Sequence, residues 1–163
     1  MLHRFMVLLA CLALGACQAY DVTVNERLVY TPRPLLTDFQ VADPALQECL
    51  RRAIARYRVS RAPELRELAC PDAGITTLAG LGQFTGLQVL DLEDNQLSDI
   101  AELRQVLALE ELYLAGNPIV DPLPLADLQA LHTVDLGNNR ALRCPDRQAL
   151  LRVSSLHLPA HCR

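Results

Sequence analysis

A chain of 163 residues is enough for one domain with a sizeable core. Aliphatic residues are plentiful, Trp is absent and aromatics make up 4%, so the core must be mostly Leu with Val and Ile. A net charge of −4 lacks the basic footprint of nucleic-acid binding, and with no Lys every one of the 15 basic residues is Arg, a bias that carries no functional weight.

The first residues read as a leader. Arg4 supplies a basic residue and Phe5 to Leu14 an apolar run, the n-region and h-region of a secretory signal. The run is too short to cross a bilayer as a mature helix. It ends in Leu14-Gly15-Ala16-Cys17, which resembles the lipobox of bacterial lipoproteins. The resemblance implies removal of residues 1–16, a diacylglycerol on Cys17 and acylation of the new amine. Ordinary cleavage near Ala16 or Ala19 is the alternative. Two or more acyl chains anchor a protein stably, so the mature chain is expected to sit on a membrane without a transmembrane helix. Gln18 after the cysteine, where enterobacterial sorting would place Asp for inner-membrane retention, implies the outer membrane. The expected location is therefore the bacterial envelope, facing the periplasm. With Cys17 acylated, Cys49, Cys70, Cys144 and Cys162 remain, an even number in an oxidising compartment. That count predicts two disulfides and by itself leaves three pairings open.

Residues 17–42 read as a lipidated end and tether. Thr31-Pro32-Arg33-Pro34 opposes a helix, and the segment has little apolar periodicity. Residues 43–64 read as a helical cap. Asp43-Pro44 has the form of an N-cap with proline at the first helical position. Leu46, Cys49, Leu50, Ala53, Ile54 and Tyr57 follow on one helical face, and Pro63 stops any continuation.

From residue 65 the chain repeats. Leu65, Leu87, Leu109, Leu131 and Val153 are each 22 residues apart. The fourth position of each unit is Leu68, Leu90, Leu112, Val134 and Leu156. The sixth is Cys70, Leu92, Leu114, Leu136 and Leu158. The ninth is Ala73, Asn95, Asn117, Asn139 and His161. A fixed period in the twenties marks a solenoid. The pattern resembles the leucine-rich repeat family, in its short 22-residue internalin-like class, over residues 65–163 with a truncated capping unit at the end. The resemblance implies an α/β solenoid: a curved parallel sheet of about five short strands, short helical or 3-10 turns on the convex side, and a cap helix in front.

Each L-x-L is a short strand whose leucines point inward by the period of two. The chain must then turn, which leaves backbone amides inside. A buried Asn satisfies them through both its carbonyl and its amide, so Asn95, Asn117 and Asn139 are expected to form a structural ladder. Ile75, Leu97 and Ile119 re-enter the core. The return segments supply Leu78, Leu81 and Phe84; Ile100, Leu103 and Val106; then Leu123, Leu125 and Leu128. The first unit has Ala73 where the Asn belongs, so its turn must be satisfied otherwise. In the fourth, Ala141 replaces the large aliphatic and Cys144 takes the place Ile100 has in the second. Register also suggests the pairing of the cysteines: Cys49 on the cap helix with Cys70 on the first strand, and Cys144 with Cys162 at the far end.

No constellation predicts catalysis, and no cofactor is expected. His157 and His161 should diverge, one outward and one inward, so no shared metal is expected. The informative surface is the outward side of the sheet. One row reads Ala69, Asp91, Tyr113, Asp135, His157; the next reads Glu67, Val89, Glu111, Thr133, Ser155. Residues 64–139 hold 13 acidic residues and 2 arginines, against net charges of +2 over 17–63 and +4 over 140–163. The expectation is a monomeric, non-catalytic protein whose acidic concave face binds a basic segment of an unidentified partner protein through Asp91, Glu93, Glu111, Tyr113 and Asp135. The alternative is a structural envelope component with no discrete ligand.

Overall fold

The computed structural model describes residues 22–24, 27–30, 33–146 and 150–162. The leader, its lipobox and Cys17 lie outside the described residues. Two units divide the chain, residues 1–34 and residues 35–163. In the first, β1 (Val22–Val24) and β2 (Arg27–Tyr30) pair antiparallel, a hairpin within the segment that the sequence assigns to the tether.

The second unit begins with α1 (Pro44–Tyr57) and continues through five strands: β3 (Glu67–Ala69), β4 (Val89–Asp91), β5 (Glu111–Tyr113), β6 (Thr133–Asp135) and β7 (Ser155–His157). They form one parallel sheet in chain order, with Leu68, Leu90, Leu112, Val134 and Leu156 side by side. The return segments are the 3-10 helices Leu81–Gln83, Ala101–Gln105 and Leu123–Asp127. This is the expected leucine-rich repeat solenoid. Strand and return segment each present one apolar side, and the two sides meet in a single core in which Leu65, Leu87, Leu109, Leu90, Leu112, Leu114, Leu103 and Leu125 have no exposed surface.

Buried asparagines stitch the laps together, and each serves the lap before its own. Asn95 Oδ1 accepts from the amides of Ile75 (2.9 Å) and Ala73 (3.2 Å). Asn117 Oδ1 accepts from Leu97 N (3.0 Å), and Asn139 Oδ1 from Ile119 N (3.1 Å). The Nδ2 groups donate backward and locally: Asn117 Nδ2 reaches Leu92 O, Leu114 O and Ala115 O at 2.9, 3.1 and 3.3 Å. This explains Ala73. No lap precedes the first, so no amide waits for an asparagine there. One residue earlier, Asp72, Asp94, Gly116 and Asn138 all have positive φ (49°, 54°, 73° and 58°), the left-handed region that Gly, Asn and Asp enter at least cost.

Asp43 joins the cap to the array. One carboxylate oxygen accepts from the amides of Ala45 and Leu46 (2.8 and 3.1 Å), capping α1. The other accepts from the amide and hydroxyl of Thr76, both at 2.8 Å, in the first turn of the solenoid. Leu46, Cys49, Leu50 and Ile54 of α1 are buried. Tyr57, expected on that face, is 45% exposed in the last turn, with the Arg56 guanidinium 5.7 Å from its ring centroid. The Cys49–Cys70 disulfide bonds helix to first strand and Cys144–Cys162 bonds the last two laps.

Four local expectations need correction. Residues 35–42 are not free tether: they strap across the first lap. Leu36 N donates to Val59 O (2.8 Å) and Ala42 N to Ala79 O (3.0 Å). Phe39 is buried edge-on against Phe84, centroids 5.7 Å apart. Gly80, at φ 93°, lets the strap pass, since a Cβ there would collide with the Gln40 carbonyl. Leu123 is 63% exposed, because Pro122 and Pro124 are the residues turned inward at the start of that 3-10 helix. In the fourth lap Leu142, not Ala141, fills the re-entry position. Cys144 is exposed and bridged instead of packed where Ile100 is buried.

Asn117→Ala leaves the Leu97 amide and three carbonyls without their partner, and should lower the free energy of unfolding by about 2–4 kcal/mol in urea denaturation. Asp43 gives a pH signature. Burial opposes its ionisation, but the bonds from Thr76, Leu46 and Ala45 outweigh it and hold the carboxyl below its usual value. A group depressed in the folded state stabilises fully above its unfolded pKa, about 3.9, and loses that contribution as pH falls through the folded value. Asp43→Asn should therefore cost about 1–2 kcal/mol at pH 7 and progressively less below about pH 4, read from thermal melts across pH.

Candidate functional site

With every inward position taken by aliphatics, the residues at alternate positions of each strand face away from the core. The register sets Ala69, Asp91, Tyr113, Asp135 and His157 abreast in one row, and Glu67, Val89, Glu111, Thr133 and Ser155 in the next. These are the rows that the repeat spacing predicts. Asp91, Glu93, Glu111, Tyr113 and Asp135 are all half-buried on this face, so the structure brings the five predicted partner-binding residues onto one surface.

Their hydrogen bonds hold them in place. Tyr113 Oη donates to Glu111 Oε2 at 2.7 Å within β5. Asp91 Oδ1 accepts from Glu93 N (3.1 Å) and Asp135 Oδ1 from Gly137 N (2.7 Å), the same turn two laps apart. His157 Nδ1 lies 2.9 Å from Asp135 Oδ1, and His132 Nε2 lies 3.9 Å from Glu110 Oε2 at the flank. Among the described residues no arginine forms an ion pair with Asp91, Glu93, Glu111 or Asp135; the Arg pairs lie on Glu48, Glu64 and Asp127. The negative charge of the face is thus not offset by arginine, and the His157 imidazole is the basic group that meets it, at Asp135. Partial burial and the neighbouring Asp91, Asp135 and Asp94 push the Glu93 carboxyl above its usual value. The bond to Glu111, partial burial and the charges of Glu111, Asp91 and Glu93 push the Tyr113 phenol upward in the same way.

The histidines at the C-terminal end bond different partners, but His161 is exposed and not turned inward as its place in the repeat predicts. His157 turns outward to Asp135, while the His161 ring bonds the Leu142 carbonyl at 2.9 Å from Nε2. Cys144, His161 and Cys162 bring ligand-type atoms within 4.8 Å of one another, with Cys144 lying 17 residues before His161. Both sulfurs are spent in the Cys144–Cys162 bond, which leaves the imidazole as the one donor atom of the three. No helix among the described residues is long and apolar enough to cross a membrane.

Stacked laps, a buried asparagine ladder and an open sheet face define a leucine-rich repeat solenoid. Among solved structures, it is similar to two internalins of Listeria monocytogenes. One, InlF, has a TM-score of 0.63 and 25% identity over 72% of this chain and 36% of that one. Internalin C2 has a TM-score of 0.59 and 28% identity over 72% of this chain and 53% of that one. The functional domain of InlJ of the same species, which includes a cysteine ladder, shares the fold at a TM-score of 0.53 and 24% identity, over 58% of this chain and 20% of that one. The chain thus spans no more than about half the length of these proteins. No protein-family model matches it, and no curated protein does.

Replacing Glu93 by Gln removes a repelled carboxylate. Its raised pKa means the folded state gains stability as pH falls through that value and carries a cost above it. Glu93→Gln should stabilise the fold slightly at pH 7, within about 0.5 kcal/mol, and the gain should vanish in melts at acidic pH.

Proposed function

We propose that this chain is a non-catalytic protein-binding module of the bacterial envelope, held on a membrane by a lipid on Cys17. In this reading the acidic sheet face receives a basic segment of a partner protein. The observation that supports it most directly is the concentration of carboxylates on that face, where His157 meets Asp135. Half-buried carboxylates surround an aromatic residue, and no arginine of the chain among the described residues neutralises them. Solubility alone does not call for a half-buried carboxylate such as Glu93, whose proton affinity is raised by burial and by the neighbouring Asp91, Asp135 and Asp94. Complementary charge speeds encounter and fixes register, while a central Tyr supplies contact area at low entropic cost. The likeness to internalins is in keeping with a role in protein interaction.

The lipobox resemblance and Gln18 support an outer-membrane anchor facing the periplasm. Cys17→Ser should move the protein from the membrane fraction to the soluble fraction after cell lysis; retention on membranes overturns the anchor. Joint reversal of Asp91, Glu111 and Asp135 to Arg should abolish photo-crosslinking from position 113 to a partner while shifting the melting temperature by only a few degrees. Undiminished crosslinking to the same partner overturns the docking face.

A further inference from the structure

The spacing of the carboxylates says more about the occupant than their charge does. Each of four successive strands carries one acid: Glu67 on β3, Asp91 on β4, Glu111 on β5 and Asp135 on β6. They alternate between the two rows. Within a row the acids are therefore two strands apart, with Tyr113 between Asp91 and Asp135, and Val89 between Glu67 and Glu111. Adjacent strands lie about 4.8 Å apart, so the charge period along each row is about 9.6 Å.

A segment crossing the strands must place its cations at that period. An extended strand presents same-side residues about every 6.8 Å, and an α-helix has a pitch of about 5.4 Å. The strand misses that interval, and two helical turns overshoot it at about 10.8 Å. A polyproline II helix rises about 3.1 Å per residue with three residues per turn, so every third residue returns to the same side after about 9.3 Å. Resting on the docking face described above, we propose that the occupant is a proline-rich segment in the polyproline II conformation with a cationic side chain at every third residue. Its cations meet Asp91 and Asp135, the second sharing its carboxylate with the His157 ring 2.9 Å away, and a proline between them lies on the Tyr113 ring.

Two further features fit this ligand. A sheet face offers side chains and no free backbone groups, and polyproline II makes no internal backbone bonds and needs no strand partner. Its preformed backbone also loses little entropy on docking, which suits a shallow surface of short side chains. The half-buried tyrosine is tied down by its bond to Glu111, so the aromatic surface is fixed before the ligand arrives.

The test uses the detergent-solubilised full chain and three fluorescent peptides of one length and one Arg/Pro composition. Their arginines recur every second, third or fourth residue. Anisotropy titration at low salt should show the period-three peptide binding about tenfold more tightly than either isomer. Asp91→Asn with Asp135→Asn, which keeps the oxygens that accept from Glu93 N and Gly137 N, should erase that advantage, as should Tyr113→Ala. Equal binding of all three peptides, lost on charge reversal, overturns the spacing argument and leaves the acidic docking face standing. Failure of all three to bind overturns the polyproline proposal. If crosslinking from position 113 then also survives the charge reversal, the docking face falls with it.

Discussion

A buried asparagine side chain is the interaction on which the rest of this architecture depends. A solenoid must turn sharply after each strand, and the turn directs amides and carbonyls into an apolar interior where water cannot reach them. One amide side chain answers both needs at once, with a carbonyl oxygen for the preceding lap and two N–H donors for the carbonyls beneath it. Because Asn95, Asn117 and Asn139 each accept from the lap before, the ladder also transmits register. A lap that slipped by one residue would break its own bonds and its neighbour's. The strands need supply only three residues apiece, and the open face inherits straight rows from a constraint that operates on the other side of the sheet.

Capping follows from the same logic. A ladder has a first and a last rung, and each end exposes what the interior would otherwise cover. At the N-terminal end Asp43 takes over: one oxygen begins the helix and the other closes the first turn through Thr76. At the C-terminal end His161 occupies the asparagine position and its ring bonds the Leu142 carbonyl. A single imidazole nitrogen cannot reproduce three donor bonds and an acceptor, and the packing there is looser. Leu156 is half-buried where Leu68, Leu90 and Leu112 are fully enclosed, and Leu151 is 80% exposed.

Periodicity explains what was legible in the sequence. The two surface rows and the asparagine positions follow from residues repeating at a constant interval, because stacking converts that interval into adjacency. Wherever the interval lapses, the inference lapses with it. Phe39 is a lone aromatic in an aperiodic stretch, and nothing in its neighbourhood announces that Phe84 is waiting for it. Pro122 displaces Leu123 because the ring's fixed φ rotates the start of that return segment. Leu142 displaces Ala141 because the fourth turn is closed by Leu142 N donating to Asn139 O, a tighter path than in the earlier laps. Of the candidate site, the positions were legible, but the bond that fixes Tyr113 to Glu111 and the pairing of His157 with Asp135 depend on side-chain conformations that a pattern does not encode.

The unequal ends give the array a preferred direction of failure. In a quasi-one-dimensional stack each lap is stabilised only by its neighbours, so unravelling starts where a neighbour is missing and the seal is poorest. Here that is the far terminus, while the sturdier terminus is the one closed by α1 and Asp43. The Cys144–Cys162 bond then limits the damage. A final lap that frays remains inside a short covalent loop, its search for the sheet edge confined to a small volume, so that it re-docks before the fault travels to the next lap.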